Sequence, residues 1–194
     1  MKTMKRIITI LIMLLALPVG ALAQPPADPG VLPSSPLWQL DLFFERLQVA
    51  IAANPEVKAR IKLEHLAERS DELEAEIVAE RAAPAALAQA RAEQDASEAN
   101  AETEKISDVT KRHEVSALAA AATAKHIEVL RRVLAKVPEQ AKDAIMRAIE
   151  RSETKQKVAE NTEARAVQEA AEAKVILEDV DAKARLAVAQ RKYR

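Results

Sequence analysis

The chain has 194 residues, with no cysteine, two glycines, four aromatic residues and 29 Lys and Arg against 30 Asp and Glu. These counts exclude a disulfide framework, Cys-ligated zinc and a thiol nucleophile, glycine-rich phosphate loops and tight hairpins, and the basic excess of a nucleic-acid binder. Alanine at 41 positions and charged residues at 30% predict an all-α fold: an elongated, antiparallel, coiled-coil-like bundle of long helices.

Residues 1–23 read as a signal peptide. Lys2, Lys5 and Arg6 precede the apolar run Ile7 to Leu17, and Pro18, Gly20 and Ala21-Leu22-Ala23 follow it. Cleavage is expected after Ala23, which places the protein in the periplasm or outside the cell. The run is short of the ~20 residues that span a bilayer, so no membrane span is expected after cleavage. Removal takes three basic residues and leaves 26 against 30 acidic ones. Export separates the chain from cytosolic ATP and NAD, and no cofactor is expected.

Residues 24–35 form a proline-rich, flexible lead. Residues 36–82 are expected to form a two-helix domain. Its first helix, about 36–53, spaces Leu37, Leu40, Phe44, Leu47 and Ile51 by three and four residues, with Trp38, Phe43 and Ala50 beside them. That seam predicts a core anchor. The second helix, from Pro55 behind the N-cap Asn54, carries Leu63, Leu66, Ser70, Leu73 and Ile77 at the same spacing.

Residues 83–194 read as a long alanine-rich helical region. Between 91 and 114 the chain is polar, either a solvated helix or a frayed connection, with Ser107-Asp108 as its break. Farther on, Ala119, Ala122, His126, Val129 and Val133 form one stripe, and Ile127, Leu130, Leu134 and Val137 its neighbour. Val137 is a poor cap, so Pro138 suggests a kink rather than a full turn. The last segment has Ala166, Ala170, Ala173, Leu177, Val180, Ala184 and Ala187 in a strict seam. Packing against the leucines of the second helix is expected, with pairing between subunits as the alternative.

The run Leu32-Pro33-Ser34-Ser35-Pro36-Leu37-Trp38, then Leu42, Phe43, Glu45 and Arg46, and later Asn54-Pro55-Glu56-Val57-Lys58-Ala59-Arg60, Leu63, Ala67-Glu68-Arg69 and Glu72-Leu73, resembles a domain of exported proteins known as domain of unknown function 5667. The resemblance covers about residues 32–82 and implies export and helical structure. It brings no catalytic residues.

Metal chemistry has few candidates. A Glu-x-x-His pair is absent, because Lys62, Thr110 and Thr123 stand three residues before His65, His113 and His126. His65, Glu68 and Glu72 share a helix face, weak ligands at most, and read more simply as surface charges. His126, inside an apolar stripe, reads as a histidine bonded to a neighbouring helix, and His113 as solvated. No metal is expected at any of these positions. Serines lack an elbow glycine and a spaced base, so no catalytic residue and no enzymatic activity is expected. The function expected is a structural or protein-interaction role in the cell envelope or extracellular space. A protein partner or self-association would use the helical seams, without nucleic acid. The alternative is a chaperone-like or metal-responsive helical protein.

Overall fold

The computed structural model describes residues 30–192; the expected signal peptide and the first half of the proline-rich lead, residues 24–29, lie outside the described residues. Among these residues the fold is all-α, with helices α1 (Trp38–Ile51), α2 (Pro55–Val78), α3 (Ala82–Glu104), α4 (Val109–Leu134) and α5 (Glu139–Lys192) and no strand.

Each boundary has a local cause. Asn54 Oδ1 accepts from the Val57 amide at 3.0 Å, with Pro55 at the first helical position. At the end of α2, Glu80 takes φ 57°, and the Arg81 amide donates back to the Glu76 carbonyl at 2.9 Å. This closes the helix in a left-handed cap without glycine. The polar stretch 91–114 is not frayed. It is helical to Glu104, turns, and restarts where Asp108 Oδ1 accepts from the Lys111 amide at 3.1 Å. Ile106 fixes that turn by packing with Ala59 and Val115. Asp108→Ala is expected to lower stability by about 1 kcal/mol, read by urea denaturation, with no change in the far-ultraviolet spectrum of the folded state.

Pro138 marks a full reversal, not the expected kink. The Lys136 and Val137 amides both donate to the Val133 carbonyl. These backbone bonds close the turn, so the missing side-chain cap at Val137 does not matter. Helix α5 then runs back along α4, joined by Arg131–Glu153 at 3.1 Å and Arg112–Glu169.

Two antiparallel hairpins, α2–α3 and α4–α5, thus lie side by side, α2 beside α4 and α3 beside α5. Their core sets leucine against alanine. Leu63 and Leu66 sit among Ala92, Ala96, Ala99, Ala119 and Ala159; Leu73 and Leu130 sit among Ala85, Ala88 and Ala148. Small residues allow the backbones to approach, so few large side chains fill the centre.

Two expectations about packing fail. The α2 leucines are covered mainly by α3 and α4, and the last seam does not lie on them from Ala166 to Val180; the side chains of Ala184 and Ala187 lie outside the described residues. Ala166 is the last buried residue of α5, and every residue from Val167 to Asp181 whose side chain is described is exposed. The α1 seam is also outside: Leu37, Phe44 and Ile51 are 60%, 56% and 58% exposed. Trp38, Leu42 and Glu45 face α2 instead, and Trp38 is buried as expected.

Candidate interaction surface

The reason α1 docks this way lies in α2. One residue out of step with its leucine seam, α2 carries Lys62, His65, Arg69, Glu72 and Glu76 at spacings of three and four, and all five are buried. A buried charge needs a partner. Lys62 Nζ reaches Asp95 at 2.9 Å and Glu98 at 2.6 Å on α3. Glu76 accepts from the Ser34 amide at 3.0 Å and pairs with Arg81. His65 and Arg69 find theirs on α1.

Arg69 is the hub. Its guanidinium bonds Glu72 at 2.7 Å and Glu45, has Asp41 at 3.6 Å and Glu68 at 3.7 Å, and lies 5.8 Å from the centre of the Trp38 ring. A cation over an indole face is attracted by the ring quadrupole. His65 Nε2 stands 3.4 Å from Gln48 Oε1. The face of α1 that supplies Trp38, Asp41, Glu45 and Gln48 is therefore drawn inward, and its apolar face is left outward.

Burial dominates the electrostatics of this layer. It pushes the Glu45 carboxyl up to about 7 against the pull of Arg69, with Asp41 and Glu68 adding to the rise. Burial likewise raises Glu72 to about 8, opposed by Arg69. His65 is lowered to about 4 by burial and by the nearby Lys62 and Arg69 charges, so it is neutral at pH 7.

Across the bundle, His126 falls to about 4 through burial. Its Nδ1 lies 2.7 Å from Ser70 Oγ, which also donates to the Leu66 carbonyl. With that hydroxyl proton committed to the carbonyl, Nδ1–H donates to Ser70. The pair ties α4 to α2, as expected of His126. It is a packed polar contact between helices.

The metal candidates do not converge. His65 is buried on Gln48, contrary to its reading as a surface residue, because α1 covers it. Glu72 is buried on Arg69, Glu68 is at the surface, and His126 lies on α4. No group of three or more His, Asp or Glu among the described residues is arranged to hold a metal ion. His113 is half exposed, with Glu163 at 3.7 Å.

What faces outward on α1 is a continuous apolar surface: Leu37, Leu40, Phe43, Phe44, Leu47 and Ile51, each at least 40% exposed. The Phe43 and Phe44 rings meet edge to face at 5.7 Å. A second apolar stripe runs along α5. Its bundle-facing positions Ala159, Thr162 and Ala166 continue as Ala170, Ala173, Leu177 and Val180, past the N-terminal start of α4, with no helix opposite them among the described residues. No helix among these residues is long and apolar enough to cross a membrane.

No curated protein and no solved structure matches the chain. A family model does, over a longer stretch than the 32–82 expected: it takes in the lead-in to α1, the charged layer beneath it and all of α4. That model is the domain of unknown function DUF5667, matched over residues 30–140, and the chain belongs to this family.

Proposed function

We propose that the protein is an exported, non-enzymatic helical protein of the cell envelope or extracellular space, and that it holds another protein on the outward face of α1. One observation carries this reading: α1 is docked with its carboxylates inward and its large apolar side chains outward. Each such side chain, if buried, would stabilise the fold by ~1.5–3 kcal/mol. A helix serving only as core would turn them inward. A contiguous apolar patch kept in water by a fixed polar contact is the mark of an interaction surface. Export rests on the pattern of residues 1–23.

The test is site-specific photo-cross-linking in the native host. A photoreactive residue at Leu47, at the middle of the apolar face, is expected to give a discrete protein adduct. The same residue at Gln39, on the flank of α1, is expected to give none. Equal labelling at both positions, or none at Leu47, would overturn the reading. The intact mass of the exported chain is expected to begin at Gln24, and a mass retaining residues 1–23 would overturn export by cleavage.

A further inference from the structure

We propose that the occupant of the outward face of α1 is the overhang of α5 from a second copy of this chain, exchanged reciprocally between two copies. This rests on the reading of α1 as an interaction face and names its partner.

The overhang is the first argument. Helix α5 leaves the bundle at the end where α1 finishes and α2 begins, as shown by Lys111–Glu56 at 3.0 Å and the Arg112–Glu169 pair. Its 54 residues contain neither proline nor glycine. Beyond Glu169 it therefore continues away from the bundle for about 35 Å at ~1.5 Å per residue. It cannot reach its own α1, which lies back along α2, without breaking the helix. It is longer than α1, whose 14 residues span about 21 Å.

Shape is the second argument. The outer face of α1 is all large side chains, Leu37, Leu40, Phe43, Phe44, Leu47 and Ile51. The stripe on the overhang begins with Ala170 and Ala173 and then presents Leu177 and Val180. Large side chains seat over alanines because the two backbones can approach. Pairing overhang with overhang would set alanine against alanine and leave both α1 faces bare. Pairing α1 with α1 would leave both overhangs bare.

Area is the third. Each stripe is on the order of several hundred Å², short of the ~800 Å² that one partner gives to a stable interface. Reciprocal exchange counts both stripes on each copy and closes on a two-fold axis, so it ends at a dimer.

Sedimentation velocity on the exported chain tests the proposal, with Phe44→Asp and Leu177→Asp as variants at exposed positions that leave the monomer folded. The wild type is expected to be a dimer, and each variant to raise the dimer dissociation constant about 100-fold or more. Mixing the two variants is the decisive arm. In the exchange geometry the mixed dimer concentrates both changes in one contact and leaves the other intact, so mixing is expected to restore association. A dimer weakened by only one variant, or a mixture no tighter than its components, would overturn the proposal in favour of a like-on-like pairing. A monomer at all concentrations would also overturn it. If the Leu47 cross-linker then captures a different protein, the interaction reading stands and the second copy is excluded; if it captures nothing, both fail. Binding of the monomer to phosphatidylglycerol vesicles, lost in Phe44→Asp, would overturn it in favour of a lipid surface.

Discussion

Arg69→Met is expected to destabilise the protein by about 3–5 kcal/mol at pH 8.5, because it leaves the Glu45 and Glu72 carboxylates buried without their counter-charge. The readouts are urea denaturation and Trp38 emission, which should shift to the red as α1 loosens. The size of the loss depends on pH in a direction the layer dictates. At pH 6 both carboxyls hold a proton in the fold, so the charge left behind is small and the loss should shrink to the value of the missing hydrogen bonds and the Trp38 contact. A loss equal at both pH values would mean that Arg69 acts through packing alone and would overturn this account of how α1 is held.

The wild type should show the same chemistry. Glu45 and Glu72 have folded values near 7 and 8, above the ordinary carboxylate value of 4.5. The folded state therefore binds protons that the unfolded chain has released. That contribution is fully present below about pH 4.5 and is lost as pH rises through 7 to 8. His65 and His126 act in the opposite sense. Their folded values near 4 lie below the ordinary 6.5, so their contribution is present above pH 6.5 and is lost as pH falls toward 4. The two opposed slopes nearly cancel between about pH 4.5 and 6.5 and place maximum stability between about pH 5 and 6. A chain as stable at pH 9 as at pH 6.5 would contradict the carboxylate half of this argument.

Much of the bundle is written in spacing. The seam from Leu63 to Leu73 and the stripe from Ala119 to Val133 are buried almost throughout, because a leucine or valine every three or four residues has one economical place to go. The orientation of α1 was not legible by the same rule. Hydrophobic spacing counts Glu45 as a surface residue, and two candidate faces of α1 then compete on apolar content alone. The outward face wins that count and loses in the fold, since Arg69 would otherwise be buried unpaired. The signal was present in the sequence as a second, polar series at the same spacing, Lys62, His65, Arg69, Glu72 and Glu76. A buried arginine in that series calls for facing carboxylates, which Asp41 and Glu45 supply, while Gln48 faces His65. The reversal at Pro138 was hidden for a different reason. Its turn is closed by backbone bonds to the Val133 carbonyl, which no residue type announces.

The two kinds of apolar surface should separate cleanly by substitution. Leu66→Ala is expected to cost about 3–5 kcal/mol. Leu66 is fully buried, and its neighbours Ala92, Ala96, Ala99, Ala119 and Ala159 have no side chain long enough to swing into the space left behind. Most of the cavity therefore persists, and the loss should lie toward the upper end for its chemistry. Phe44→Ala removes a larger side chain, yet it is expected to cost no more than about 0.5 kcal/mol in the monomer, because more than half of that side chain already faces water. The spacing of α1 alone predicts the reverse, a loss of about 3 kcal/mol for a phenylalanine in a core seam. Urea denaturation of both variants, at a concentration where each is monomeric, decides between them. Comparable losses would mean that α1 sits with its aromatic face against α2, and the inward layer around Arg69 would have to be abandoned.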